Sequence, residues 1–227
     1  MVLRNPRSEV QVIRGSEPWR ELLADPPAPD WNAEVVAARL LEMWASGGGY
    51  VEPLRSAFAG TDFESFEPVL AIPQYEVSMP GGRVPGHNDL CLLGRIGPDE
   101  ALIMAHGKLD ARPGEHLDEW LHNPSPAKLR RIGFLQDVLS LPDNLSETIN
   151  YQVLNRVASA YVEAQRQGIP HAASVITVFG TANGWMEEYG EVVGYLGLTC
   201  EPGRIQRVTG RTDPTLWVGC VESLDDR

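Results

Sequence analysis

Three short segments of the chain carry side chains that can act together on a phosphodiester. They are Gly86-His87-Asn88-Asp89, His106-Gly107-Lys108-Leu109-Asp110 and Tyr151-Gln152-Val153-Leu154-Asn155-Arg156. A carboxylate and an imidazole can share a divalent cation, and a nearby ammonium group can orient a water or meet a phosphate oxygen. These are the parts that metal-assisted phosphodiester cleavage uses. Side chains alternate along a strand, so His106, Lys108 and Asp110 fall on one face of a strand that ends there. Gln152 and Arg156 are four residues apart and share a helix face.

Such a convergence needs two adjacent strands and a helix, and the sequence predicts them. Asp89–Ile96 reads as one strand and Glu100–Lys108 as the next, joined by a turn at Gly97-Pro98-Asp99. As an antiparallel hairpin they set Asp89 and residues 106–110 at the same edge of a sheet. The run Ala101-Leu102-Ile103-Met104-Ala105 is apolar on both faces, which marks a central strand. Gln74–Met79 is a further strand before the turn Pro80-Gly81-Gly82, and residues 60–73 read as a loop. Upstream, a helix over about 33–46 starts at Asp30 or Asn32, aligns Val36, Leu40, Met43 and Trp44, and ends at Gly47-Gly48-Gly49. A short helix follows near 51–59. Downstream, residues 111–147 form a helical insertion, with a short helix near Leu117–His122 and a longer one over Ala127–Leu139. Ser146 then caps a long amphipathic helix over about 147–167. The strand His171–Phe179, a helix around Trp185–Leu196 and the strand Thr215–Val221 complete the order.

The fold class is therefore α/β, a mixed sheet with helices packed against it. Residues 1–32, rich in proline and charge, read as an irregular arm, and residues 33–227 as a single domain.

With these elements in place, residues 33–180 resemble the PD-(D/E)XK, restriction-endonuclease-like nucleases. That superfamily has a helix–three strands–helix–strand core (αβββαβ), an Asp at a strand start, an acid-x-Lys on the next strand and often a polar or basic residue on the following helix. The resemblance implies that Asp89 is the first acid, Lys108 the motif lysine, and Gln152 and Arg156 the helix contribution. It also implies a divalent metal, Mg or Mn, at Asp89 and residue 106, with the Gly107 carbonyl as a further ligand. Lys108 would position the attacking water. The stretch from about Ile72 to Val178 also looks similar to a bacterial family of unassigned function, in which Glu-Gly-Lys is expected where this chain has His106-Gly107-Lys108. An imidazole in place of that acid removes a negative charge and shifts metal preference from Mg towards Mn, Zn or Fe. Activity is then weakened, or the fold is kept for binding alone. Asp110, on the same predicted face, can compensate in part.

Each residue also has a structural alternative. Asp89 follows turn formers and can bond backbone. His106 can be a hydrogen-bonded core histidine. Lys108 can pair with Asp89, Asp110 or Glu115, and Arg156 with Glu163 or Asp143. His87 earns a substrate-binding role only from its place beside Asp89. Glu42 on the first helix is a further acid, and Lys128, Arg130 and Arg131 form a small basic cluster that can meet phosphate or lie solvated. No phosphate loop, nucleophile elbow or zincin motif is present.

Composition narrows the partners. The net charge of −12 and pI near 4.8 oppose indiscriminate coating of nucleic acid but leave room for a local basic cleft. Cys91, Cys200 and Cys220 sit in apolar runs without a CxxC, which reads as buried free thiols and a reducing, cytoplasmic setting. No apolar stretch is long enough to cross a bilayer. Three functions follow: a metal-dependent nuclease on DNA or RNA, a non-catalytic nuclease-fold protein binding nucleic acid or a protein partner, and an interaction module. The last two admit a homodimer, and Trp19, Trp31 and Trp185 are candidate anchors for a partner.

Overall fold

A computed structural model describes residues 40, 43, 44, 54–82, 84–109, 114–179 and 184–223. The expected arm over 1–32, Glu42 and Asp110 lie outside the described residues. Leu40, Met43 and Trp44 are helical, in the segment expected to be a helix. Helix α1 (Leu54–Phe58) and a 3-10 turn (Asp62–Ser65) lead into three antiparallel strands, β1 (Phe66–Val77), β2 (Gly86–Ile96) and β3 (Asp99–Leu109). Helices α2 (Leu117–Trp120), α3 (Pro126–Leu139) and α4 (Tyr151–Gln167) follow, then β4 (His171–Phe179), α5 (Trp185–Tyr195), β5 (Ile205–Arg207) and β6 (Thr215–Ser223). The sheet order is β1-β2-β3-β4-β6-β5. β4 is parallel to β3 and to β6, and β5 runs antiparallel to β6.

The fold is thus the expected mixed α/β sheet, with four differences from the sequence reading. β2 begins at Gly86, three residues before the expected Asp89. β1 begins at Phe66, inside the stretch read as a loop. Pro68 and Pro73 argue against a strand, yet β1 is the sheet edge, where a residue without an N–H is tolerated, and a register shift falls between Pro68 and Leu70. The long helix starts at Tyr151. Asn150, not Ser146, caps it, its Oδ1 accepting from Val153 N at 3.0 Å. Residues 147–150 are held off helical geometry by the 115–118 segment: Leu117 N donates to Ile149 O and Tyr151 N to Glu115 O. The three-residue β5 is too short to leave a periodic signal.

Two apolar layers sandwich the sheet. On one face Leu102, Met104, Ile176 and Val218 pack under α3, α4 and α5, through Leu135, Leu154, Val157, Tyr189 and Val192. On the other, Ile103, Ala105 and Val175 meet Leu40, Trp44, Leu54, Phe58 and Phe63. β3 and β4 are covered on both faces, as a central parallel pair must be. Trp185, expected as an exposed anchor, is buried in the first layer. Cys91 and Cys220 are buried thiols, whereas Cys200 is only half-buried. Among the described residues no helix is long and apolar enough to cross a membrane.

Candidate functional site

The site forms where β2 and β3 part company. Their ladder ends at Leu90↔Ala105, and one step further the register sets Asp89 opposite His106. Asp89 breaks the ladder there: its Oδ2 accepts from Gly107 N at 3.0 Å, replacing a backbone partner with a carboxylate. β2 lies against α4 at this point because Gly86 has no side chain. A Cβ there would stand 2.6 Å from Ser159 Oγ and 3.2 Å from Asn155 Nδ2.

Lys108 projects towards α4 and α5. Its Nζ donates to Gln152 Oε1 at 3.3 Å and lies 4.9 Å from the centroid of the Trp185 ring. Gln152 is itself fixed by close approach of residue 114, where a Cβ would fall 2.2 Å from its Cδ. Burial, then the neighbouring Arg156 cation, pushes the Lys108 amine down to about 8, against the pull of Asp89. Of the expected carboxylate partners, neither Asp89 nor Glu115 pairs with it: among the described residues its hydrogen-bond partner is a neutral amide. In the row that runs across β4 from Lys108 through Val178, the next acid is Glu222, two strands away and so roughly 10 Å off.

Arg156 stands one turn along α4 from Gln152. Its Nη1 is buried and has no hydrogen-bond partner, and neither Glu163 nor Asp143 pairs with it. Glu163 is bound instead to Arg166 at 2.7 Å and to the Tyr75 hydroxyl at 2.8 Å. Burial lowers the Arg156 guanidinium from its usual range and the Asp89 carboxylate opposes the shift; it remains a cation.

His106 is fully buried, and neither ring nitrogen has a partner. It is therefore not the hydrogen-bonded core histidine that its position also allowed. Burial first, then Arg156 and Lys108, holds it well below the usual imidazole range, so the ring is neutral at physiological pH.

The structure brings Asp89, His106, Lys108, Gln152 and Arg156 together. His87 is committed elsewhere, with Nε2 3.3 Å from Glu76 Oε1 on the edge strand and its side chain largely exposed. The basic cluster of α3 is not a free phosphate grip. Arg131 is buried and donates to the carbonyls of Met79, Pro80 and Val84 and to Asn155 Oδ1, while Lys128 bonds the Trp120 carbonyl and lies over that ring. Trp185 and Gly114 were not among the expected site residues. They act only through tertiary contact, and no motif spacing points to them.

A divalent metal is what the nuclease resemblance implies. Asp89 and His106 are the two donor side chains at hand. Among the described residues no group of three His, Cys, Asp or Glu is placed to hold a metal ion. Among the described residues two cations flank one carboxylate, and the imidazole has no exposed surface. These residues do not fit a hard cation such as Mg, which seeks several oxygen ligands.

No curated protein and no solved structure matches the chain. A family does match, over residues 12–224. Spanning nearly all of the 227 residues, that match means the chain belongs to the family described as a domain of unknown function, DUF6946.

Proposed function

We propose that this chain is a nuclease-fold protein of the PD-(D/E)XK kind whose site at the β2–β3 edge binds the phosphodiester backbone of a nucleic acid. Lys108 and Arg156 meet phosphate oxygens, Gln152 holds the lysine in place, and Asp89 braces the end of β3 through Gly107 N. The observation that carries this reading is the local charge: among the described residues, two cations, neither in an ion pair, face one carboxylate in a chain of net charge −12. The helix–three strands–helix–strand order supports the kinship, and Asp89 and Lys108 stand on neighbouring strands as it requires. The acidic remainder of the surface keeps binding local and shallow in affinity.

The test is a binding survey by fluorescence anisotropy with labelled single-stranded DNA, duplex DNA and RNA, comparing wild type with Lys108→Ala. The reading expects saturable binding of at least one of them, weakened about tenfold or more in the variant, as loss of a charge-assisted contact implies. Equal binding by both proteins, or none by either, contradicts it.

Cleavage of the bound strand is a second reading, favoured by one observation: a neutral imidazole with two unpartnered nitrogens beside Asp89. Incubating the same nucleic acids with Mg or Mn checks it. Fragments that disappear with Lys108→Ala support it, and intact substrate throughout counts against it.

A further inference from the structure

The charge of the site says more than that it binds phosphate. The nuclease resemblance implies a second carboxylate at position 106, which with Asp89 would hold a divalent metal and lend it charge to meet the phosphate. Here the group facing the site from β2 is Asp89, from β3 His106 and Lys108, from α4 Gln152 and Arg156, and from α5 Trp185. Asp89 is already bonded to Gly107 N, Lys108 to a neutral amide, and Arg156 Nη1 is buried without a partner. The described residues therefore sum to an excess of one positive charge in a partly desolvated place, with an unmet donor. A metal dication would add to that excess, whereas a phosphodiester anion cancels it.

We infer that the site takes its phosphodiester directly between Lys108 and Arg156 with no metal ion, the buried imidazole of His106 standing where a metal-binding carboxylate would be. This rests on the phosphodiester reading above and goes beyond it by fixing the electrostatics of binding. His106 then has a stated consequence: it keeps the site cationic. An imidazole bears no negative charge, so this buried ring neither attracts a metal by charge nor repels the phosphate as a carboxylate would.

The experiment measures affinity for a short fluorescein-labelled single-stranded DNA in EDTA and in Mn, with full-length wild type, His106→Glu, His106→Gln and Arg156→Gln, each checked for folding by thermal melt. Wild type is expected to bind equally in EDTA and in Mn. Arg156→Gln should lose about tenfold in both, the loss of one charge-assisted contact. His106→Gln, which adds no negative charge, should bind with no dependence on Mn. His106→Glu should bind more weakly in EDTA and recover with Mn, as a restored acid invites the cation. Wild-type binding that requires Mn overturns the inference while leaving the phosphodiester reading standing. Wild-type binding that is absent in both conditions overturns the two together. If His106→Glu is unstable, the His106→Gln result still decides: binding that appears only with Mn in that variant, with a normal melt, contradicts the inference.

Discussion

At the scale of single residues, Lys108 and His106 are held in places that stability alone would not choose. A lysine whose amine sits near 8 in the fold and near 10.5 in the unfolded chain carries a penalty that is fully present below about pH 8. That penalty fades as pH rises from about 8 to 10.5, where the unfolded lysine also loses its proton. Lys108→Met is therefore predicted to stabilise the protein at neutral pH by about 1 kcal/mol, or roughly 2–4 °C in Tm, and the gap should close towards pH 10.5. Thermal melts across that range check it; a variant less stable than wild type at pH 7 would mark Lys108 as a structural residue. His106 works in the opposite pH window. Its folded value lies far below the unfolded 6.5, so it costs nothing above pH 6.5 and destabilises as pH falls below it, by up to about 1.4 kcal/mol per pH unit. Urea unfolding at a series of acid pH values should show that slope in wild type and its reduction in His106→Gln; identical slopes would contradict the buried, unpartnered ring. The sequence made Asp89, Lys108, Gln152 and Arg156 legible because strand alternation and helical spacing put them on convergent faces. It could not tell that His87 is spoken for by Glu76, or that Trp185 lies beneath Lys108, since both depend on partners far along the chain.

At the scale of elements, the site depends on β2 and β3 being held against α4. Arg131 of α3 does much of this, its guanidinium bonding the carbonyls of Met79, Pro80 and Val84 in the β1–β2 connection and Asn155 on α4. Residue 81 touches the α3 backbone so closely that no Cβ fits beside it, and it adopts φ +89°. Arg131→Leu is predicted to cost about 2–4 kcal/mol, because buried carbonyls lose their donors, and chemical denaturation checks it. A change under 1 kcal/mol, within the range of ordinary surface substitutions, would show that the connection holds without the arginine. The strands with apolar runs, β3 and β4, and the helices with clear periodicity were readable within a residue or two. β1 was not, because its prolines signal loop unless one knows that the strand is an edge. The start of α4 was misplaced because the pairing of 115–118 with 147–151 is a tertiary contact that outcompetes a local Ser cap.

At the scale of the whole molecule, a strongly acidic chain sets two cations, Lys108 and Arg156, against one carboxylate among the described residues at the end of a mixed sheet. If the site binds nucleic acid as proposed, long-range repulsion and short-range attraction at Lys108 and Arg156 act together, and salt screens both. The counterion contribution isolates the local part, because each phosphate contact made by a cation on a single strand adds about 0.7 to the steepness of log K against log salt. The most direct measurement is the affinity of wild type and Lys108→Met for the same single-stranded DNA over a salt series in EDTA. The account predicts weaker binding by the variant at every salt concentration and a slope shallower by about 0.7. Superimposable lines for the two proteins would mean that Lys108 does not touch the phosphate and that the site proposed at the β2–β3 edge is not where nucleic acid binds.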